Sequence, residues 1–352
     1  MAKSGKDFVK SYFWLALFSL FLGLHSTPTF SGDKKMTPST SPRANSDFEP
    51  AYLKLHKSGE LKKRGQNLWN MLKSCNICPR RCGVNRLDGG KGFCQADARL
   101  IIASHHLHFG EEKPLVGKGG SGTIFFSNCA LRCVFCINWE TSHTGAGSLT
   151  SVEELAGMMV KLQKMGAHNI NVVTPDHYLP HILLALDIAA AQGLRLPLVY
   201  NTCGWVNPEI LKTLDGIVDI YLPDFKYSCG KMAAKYSAGA ETYPEAAKAA
   251  ILEMHRQVGA AKPAGDGVMR RGLMIRHLVM PNRVAGTKKV IEWIAKNLPK
   301  DTYLNLMGQY TPLYKASEYP EISRRITGKE YAEVVKWAKE AGLTNLDIQG
   351  YR

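Results

Sequence analysis

Cys129, Cys133 and Cys136 lie on one short loop with the spacing C-x3-C-x2-C. The loop directly follows the apolar run Thr123–Ser127, which predicts a buried β-strand. Cysteine thiolates are the usual ligands of iron–sulfur clusters. Three of them predict a four-iron cluster whose remaining iron has no protein ligand and is open to a small molecule. The alternatives are three buried cysteines without a ligand, or a zinc site that takes a fourth ligand from elsewhere in the chain.

A second group of four cysteines lies upstream, at Cys75, Cys78, Cys82 and Cys94. Glycine and proline residues between them predict tight turns. Four thiolates satisfy a tetrahedral zinc ion or a closed iron–sulfur cluster. Two disulfides are the alternative if the protein is exported. The last two of the nine cysteines, Cys203 and Cys229, have no motif partner.

Short apolar or β-branched runs alternate with amphipathic helical patterns from residue 123 onward. Strict alternation predicts an α/β fold with parallel strands and right-handed crossovers. Six such units predict an incomplete (β/α)6 barrel preceded by an N-terminal Cys-rich segment. In such barrels, chemistry takes place at the C-terminal ends of the strands. The predicted strands are Thr123–Ser127, Asn169–Thr174, Leu196–Asn201, Ile217–Leu222, Gly272–Val279 and Thr302–Met307.

Three helix starts are predicted from their capping residues. The segments Thr150–Glu153 and Thr327–Glu330 have the pattern of a capping box. Asn207 followed by Pro208 predicts an N-cap and a proline at the first helical position.

The cysteine loop, together with the block Gly120–Phe126 before it, resembles the radical S-adenosylmethionine (SAM) superfamily. The wider sequence, from Cys75 to Gln309, is similar to the branch of pyruvate formate-lyase activating enzyme and to its uncharacterised homologues. The first 50 residues lie outside this resemblance.

The resemblance implies that Cys129, Cys133 and Cys136 ligate a [4Fe-4S] cluster, and that the methionyl amine and carboxylate of SAM chelate the open iron. One electron then cleaves the sulfonium, and the resulting 5′-deoxyadenosyl radical abstracts a hydrogen atom. In the activating-enzyme branch this atom comes from a glycine of a partner protein. The alternatives are a radical SAM enzyme that modifies another peptide, RNA or a small molecule, and a non-catalytic iron–sulfur electron carrier. A carrier normally closes its cluster with four ligands, so the open iron favours an enzyme.

The resemblance also implies which residues bind SAM. Phe135 occupies the aromatic position that packs near the adenine. Asp224 and Lys226 match an Asp-x-Lys pair beside the cofactor, for which a structural salt bridge is the alternative. The second strand departs from the family pattern, because it lacks the Gly-Gly-Glu that usually binds the methionyl amine. Its end offers Thr174 and Asp176 instead, and their binding of the amine is a hypothesis.

Further polar residues follow the later strands. Asn201 and Thr202 end the third predicted strand and are expected to face the ligand. Arg276 of the fifth predicted strand is a candidate clamp for a carboxylate or a ribose. Gln309 and Tyr310, after the sixth, are expected to cap the cofactor or to line a substrate channel.

Three histidines, His105, His106 and His108, precede Glu111 and Glu112. In an extended segment His106 and His108 share one face, because strand side chains alternate with a period of two. The group is predicted to be a polar edge or a substrate-facing wall, with metal ligation as the alternative.

The chain has 352 residues and a formal net charge of +15. Its composition excludes a disordered protein and an all-membrane protein. The charge is compatible with nucleic acid, an anionic membrane or an acidic protein as a partner, and it selects none of them. The reaction implied by the resemblance requires a one-electron donor such as flavodoxin or ferredoxin, and a protein is one candidate for its substrate.

Residues 1–31 have the order of a secretory signal: lysines, the apolar run Tyr12–Leu24, then small and polar residues. The alternative is that translation starts at Met36. Because a three-thiolate cluster is labile to oxygen, a cytoplasmic location is favoured, while export or membrane attachment through residues 12–24 stays open. The predicted organisation is this segment, a disordered linker 32–50, a helix and Cys-rich segment 51–118, and a partial barrel 119–352.

Overall fold

The structure is a computed structural model that describes residues 48–349. The predicted signal or anchor segment 1–31 lies outside these residues, as does the predicted linker up to residue 47. Within residues 48–349, no helix is both long enough and apolar enough to cross a membrane. The predicted domain boundary between residues 118 and 119 stays a prediction.

Residues 48–349 contain nine strands, which are β1 (Leu100–His108), β2 (Ser121–Phe126), β3 (Ser148–Thr150), β4 (Ile170–Val173), β5 (Leu198–Thr202), β6 (Ile220–Pro223), β7 (Gly272–Leu278), β8 (Tyr303–Met307) and β9 (Leu346–Ile348). They form one sheet in the order β3-β1-β2-β4-β5-β6-β7-β8-β9. All six predicted strands are confirmed, as the parallel neighbours β2, β4, β5, β6, β7 and β8. Their C-terminal ends therefore lie at one edge of the sheet.

The sequence prediction missed three strands. β1 lies antiparallel to β2, β3 lies antiparallel to β1, and β9 extends the sheet beyond β8. β3 and β9 have three residues each, which is too short for any periodicity to show. β1 is polar over Ser104–His108 and so lacks the continuous apolar run of a buried strand. The closure of this sheet toward a partial barrel stays a prediction.

The helices of the described residues are α1 (Tyr52–Lys57), α2 (Glu60–Asn70), α3 (Lys113–Val116), α4 (Trp139–Ser142), α5 (Val152–Lys164), α6 (Leu179–Ala191), α7 (Pro208–Lys212), α8 (Gly230–Tyr236), α9 (Tyr243–Val258), α10 (Thr287–Asn297) and α11 (Gly328–Glu340). The predicted starts of α7 and α11 are confirmed. At α5 the prediction was wrong by one residue, because Ser151 and Glu154 form the capping box rather than Thr150 and Glu153. Thr150 is instead the last residue of β3, where it pairs with β1.

The N-terminal helices are fixed to the strands that carry the site. α2 packs against α6, and Gly65 allows this close approach, because a Cβ there would lie 3.0 Å from Leu184 Cδ2. Just before α1, the backbone N–H of Ala51 donates to Asp219 Oδ1 at 2.9 Å, at the start of β6. The segment that carries the upstream cysteines lies between α2 and β1 in the chain, so packed elements fix both of its ends.

Candidate active site

The three cysteines of the predicted cluster loop lie together. Cys129, Cys133 and Cys136 line one cavity of about 450 Å³, which is formed at the C-terminal ends of the parallel strands. The chain turns sharply as it leaves β2, where Asn128 has a φ of 72°. Asparagine tolerates this left-handed conformation better than most residues. The backbone N–H of Asn128 donates to Thr141 O at 2.9 Å, which holds the loop against α4.

Each of the three sulfur atoms has a hydrogen-bonding neighbour: Leu131 N at 3.4 Å from Cys129 Sγ, Ser237 Oγ at 3.0 Å from Cys133 Sγ, and Ser142 Oγ at 3.1 Å from Cys136 Sγ. A donated hydrogen bond favours the thiolate, which is the form that ligates iron. The ligands of a cubane bind different irons and need not converge on one point, so this donor set fits a [4Fe-4S] cluster. Among residues 48–349, no three His, Cys, Asp or Glu side chains are arranged around a single metal ion.

Cys203, which has no motif partner in the sequence, lies beside the cluster loop. A hydrogen bond with the Cys203 thiol lowers the pKa of Cys129 to about 7. Burial, by contrast, raises the pKa of Cys133 to about 12. Cys203 follows β5 and lines the same cavity, so the third parallel strand contributes directly to the surroundings of the cluster loop.

The cavity wall carries a buried ion-pair network. Asp224 accepts hydrogen bonds from Lys226 Nζ at 2.6 Å and from Arg276 Nε at 2.9 Å. Arg276 also donates through Nη2 to Asn201 Oδ1 at 2.6 Å, and its Nη1 lies 3.6 Å from Glu111 Oε2. These residues come from the ends of β5 and β6, from β7 and from the segment after β1. The network therefore forms only when these strands have come together.

The network sets the ionisation of its members. Burial acts to raise the pKa of Asp224, but Arg276 and Lys226 outweigh it and hold that pKa below its ordinary value. Burial acts to lower the pKa of Lys226, but Asp224 outweighs it and raises that pKa. Burial raises the pKa of Glu111 to about 7, against the opposing effect of Arg276. At neutral pH the Asp224–Lys226 pair is therefore ionised, whereas Glu111 titrates.

The exposed part of the cavity lining is mixed in character. Ile137 and Leu313 are 72% and 36% exposed, and Asn138, Gln309 and Gln349 are exposed polar residues of the same lining. Phe135 lies deeper and meets Tyr310 edge-on, with ring centroids 5.8 Å apart. The exposed lining thus offers both apolar and polar side chains to a ligand that extends beyond the cavity.

Comparison with known proteins agrees with this geometry. The family model of the Radical SAM superfamily matches residues 123–228, which run from β2 to the residues after β6. Uncharacterized protein MJ0674 from Methanocaldococcus jannaschii is 33% identical over 287 residues, which cover 79% of this chain and 77% of that protein. The chain belongs to the radical SAM superfamily. Its fold is accordingly α/β with a mostly parallel sheet, and the family implies a [4Fe-4S] cluster and SAM as cofactors.

Nearly all the residues predicted for the radical SAM site line this one cavity. They are Cys129, Cys133, Phe135, Cys136, Thr174, Asn201, Thr202, Asp224, Lys226 and Arg276. Gln309 and Tyr310 also line it. The structure thus brings the predicted residues together, while the contact of each with SAM stays a prediction.

Asp176 is placed differently. It is buried and does not line the 450 Å³ cavity that Cys129, Cys133 and Cys136 line. Its Oδ1 accepts hydrogen bonds from Tyr200 OH at 2.6 Å and from Thr202 Oγ1 at 2.8 Å, and the Cys203 thiol lies 4.0 Å from its Oδ2. Burial raises the pKa of Asp176 to about 6. In this position Asp176 orients Thr202, which faces the cavity.

Sequence reasoning did not assign Glu111 to the site. The structure places it in the cavity wall, where its Oε1 accepts from Asn201 Nδ2 at 3.4 Å. The neighbouring Glu112 accepts from Asn305 Nδ2 at 2.9 Å and has one buried oxygen without a partner. The feature of the sequence that could have indicated Glu111 is the pair of adjacent carboxylates, Glu111 and Glu112, shortly after β1.

The prediction that His106 and His108 share one face of an extended segment is confirmed. Their ring centroids lie 5.7 Å apart, and the ring of His106 stacks on that of Phe125.

The upstream cysteines form a separate group. Cys75, Cys78, Cys82 and Cys94 line a second, smaller cavity together with His177. All four are free thiols, so the two disulfides that were the alternative for this group are not formed. The second metal predicted at these cysteines stays a prediction.

Proposed function

We propose that this protein is a radical SAM enzyme that cleaves SAM reductively and abstracts a hydrogen atom from a substrate held at the 450 Å³ cavity. The observation that carries the proposal is the meeting of three cysteine thiols with the Asp224–Lys226–Arg276 network in one cavity at the strand ends. An iron–sulfur electron carrier does not need to bind a ligand beside its cluster, so a cavity of this size and polarity favours an enzyme.

The chain's own residues have distinct tasks in this proposal. Cys129, Cys133 and Cys136 hold the cluster, and one iron is left for the cosubstrate. When bound, the cofactors would supply the radical chemistry and an external donor the electron, whereas the protein supplies position and exclusion of water. Asp224 stabilises the positive charge of the sulfonium, and its two ion pairs keep it ionised for this role.

The remaining lining residues orient SAM. Phe135 packs against the adenine, and Thr174 offers a hydroxyl at the end of β4. Thr202 lines the wall at the end of β5, with its hydroxyl donated to Asp176. Asn201 and Arg276, which are already hydrogen-bonded to each other, bind the carboxylate or the ribose. Asp176 acts through Thr202, and its predicted contact with the methionyl ammonium would require it to leave its present partners.

For the substrate, we propose a glycine in a loop of a partner protein, as in the activating-enzyme branch. The support is the sequence resemblance and the exposed rim residues Ile137 and Leu313, which suit contact with a peptide. Another peptide, RNA or a small molecule is the alternative within the same chemistry.

A flavodoxin or ferredoxin is the proposed electron donor. A second metal at Cys75, Cys78, Cys82 and Cys94 also belongs to the proposal, as a site that SAM cleavage itself does not need.

The test is anaerobic reconstitution of the full chain with iron and sulfide, followed by reduction and measurement of 5′-deoxyadenosine. We expect wild type and Cys229→Ala to form it, and Cys133→Ala to form none. Cys229 is an exposed thiol outside both groups and is the matched control. If wild type forms no 5′-deoxyadenosine, with or without a candidate glycyl-radical protein, the electron-carrier alternative replaces the proposal.

The substrate proposal needs its own measurement. A candidate partner protein with deuterated glycine should transfer deuterium into 5′-deoxyadenosine. Transfer from a different peptide, from RNA or from a small molecule, with none from glycine, would replace the activase assignment while leaving the radical SAM reaction intact.

A further inference from the structure

Ser237 contacts one of the three cysteines of the cluster loop. Its Oγ donates to Cys133 Sγ at 3.0 Å, and Ser237 is fully buried. This serine directly follows α8 and lies 104 residues from Cys133 in the chain. By contrast, Ser142, the hydroxyl neighbour of Cys136, is only six residues from its cysteine. The surroundings of Cys133 are therefore set by a distant part of the fold.

Backbone hydrogen bonds fix the position of Ser237. Its own N–H donates to Ala233 O at 2.8 Å, which keeps Ser237 at the end of α8. In the cluster loop, Val134 N donates to Tyr236 O at 2.9 Å. A backbone hydrogen bond between their chain neighbours thus holds Cys133 and Ser237 together.

A second hydroxyl extends this contact. Tyr227 is fully buried, and its OH lies 2.9 Å from Ser237 Oγ. A serine hydroxyl has one hydrogen to donate. Because a thiolate that ligates iron carries no hydrogen, Ser237 directs its hydrogen to Cys133 Sγ, and Tyr227 is then the donor to Ser237. Burial raises the pKa of Tyr227, so this phenol keeps its proton at neutral pH.

Hydrogen bonds to the ligand sulfurs influence how readily an iron–sulfur cluster accepts an electron. Reduction adds one electron, and hence one negative charge, to the cluster and its thiolates, while no bond forms or breaks. A donor aimed at a ligand sulfur stabilises this added charge and raises the reduction potential. In a buried chain of two hydroxyls, the outer hydrogen bond also strengthens the inner one.

We infer that Ser237, supported by Tyr227, raises the reduction potential of the [4Fe-4S] cluster through Cys133 and thereby eases its reduction by the electron donor. Neither Ser237 nor Tyr227 lines the 450 Å³ cavity, so they act through the ligand and not on SAM. This role rests on the proposed function, because it requires the cluster that the three cysteines of the loop would hold.

The test is the midpoint potential of the cluster in the anaerobically reconstituted full chain, measured without SAM by a redox titration that follows the reduced cluster by electron paramagnetic resonance. For Ser237→Ala we expect an electron affinity about tenfold lower, since a hydrogen bond to a charged group has an effect of this order. For one electron this is a midpoint about 59 mV lower. Tyr227→Phe keeps the ring and the Ser237 donor, so its midpoint should fall by a smaller amount.

Two control variants remove hydroxyls that donate elsewhere. The Tyr236 hydroxyl donates to Glu321, and the exposed Ser323 hydroxyl donates to Pro320 O at 3.0 Å. Tyr236→Phe and Ser323→Ala should therefore keep the wild-type midpoint. A wild-type midpoint in Ser237→Ala overturns the inference. If Ser237→Ala takes up no cluster, the midpoint of Tyr227→Phe decides in the same way.

The potential and the cleavage of SAM can fail separately. Lowered midpoints in the two variants, with no 5′-deoxyadenosine from wild type, would remove the enzyme and keep the role of Ser237. Unchanged midpoints with normal 5′-deoxyadenosine formation would remove the role of Ser237 and keep the enzyme. A wild-type chain that takes up no [4Fe-4S] cluster would remove both.

Discussion

Asp224 and Arg276 lie on neighbouring strands, and Arg276 Nε donates to Asp224 Oδ1 at 2.9 Å. Lys226 Nζ approaches the other carboxylate oxygen at 2.6 Å, and all three side chains are largely buried. One carboxylate thus compensates two largely buried cations. Such a carboxylate supports both the fold and the binding of a cationic ligand.

We expect Asp224→Asn to lower the free energy of unfolding by about 3–5 kcal/mol, the usual cost of removing one partner from a buried ion pair. Chemical denaturation of the cluster-free chain measures this. Asp266→Asn is the matched control, because it removes an exposed partner from Arg270 and should change stability little. Equal denaturation midpoints for the two variants would show that the buried network contributes no more than a surface pair.

Thr174 has a φ of 58° at the end of β4, a conformation that β-branched residues rarely adopt. Holding it there costs about 1–3 kcal/mol. We expect Thr174→Gly to relieve this strain and to unfold at no lower denaturant concentration than wild type. The same variant should bind SAM more weakly, because the hydroxyl is gone. Thr174→Ala keeps the strain and loses the hydroxyl. If both variants bind SAM as tightly as wild type in an equilibrium titration, Thr174 does not bind the cofactor.

Asp176 gives a pH-dependent contribution to stability, because burial raises its pKa to about 6. Since the pKa is higher in the folded state, the contribution is full below the unfolded value of about 3.9 and is lost as pH rises through about 6. The stability of wild type relative to Asp176→Asn should therefore fall as pH rises from about 4 to about 6, the window that these two values define, and should change little above it.

The control for this measurement is Glu153→Gln, on the exposed side of α5. Its stability difference from wild type, measured over the same pH range, is the baseline for an exposed carboxylate. A constant difference for Asp176→Asn would mean that the carboxyl titrates equally in both states. SAM affinity of the Asp176→Asn variant tests separately whether this residue receives the methionyl ammonium.

Glu111 should make SAM binding depend on pH. Burial raises its pKa to about 7, so this carboxyl becomes negative as pH rises through neutrality. Because SAM carries a sulfonium cation, wild-type affinity should increase over that range, and Glu111→Gln should stay near the low-pH value. Titration of the anaerobic, cluster-loaded protein with SAM at several pH values measures this. A wild-type affinity that does not change with pH would remove Glu111 from the binding site.

Much of the fold could be predicted because buried parallel strands are continuous apolar runs between amphipathic helices. This pattern located β2 and the five strands parallel to it in the correct order. It did not locate β3 or β9, since three residues contain no period. The capping box at α5 was placed one residue early because Thr150 and Ser151 are both good caps, and only the pairing of Thr150 in β3 separates them.

The cluster ligands could be predicted because their chemistry lies in residue type and local spacing. The role of Glu111 could not, because it comes from contacts between distant segments, whereas the position of Cys203 at a strand end already placed it near the pocket. Glu111 and Asn201 are 90 residues apart in the chain, and no local pattern connects them. For Asp176 the position near a strand end predicted a contact with SAM. In the structure its carboxylate instead accepts hydrogen bonds from the hydroxyls of Tyr200 and Thr202.

Asp176 and His177 are adjacent in one short turn, yet they contact different cysteines. Asp176 contacts Cys203, whereas His177 lines the cavity of the upstream cysteines. This turn follows β4, so it is synthesised after all four upstream cysteines. The cavity around those cysteines is therefore incomplete until the second parallel strand and its turn have been made, even though the cysteines themselves are translated first.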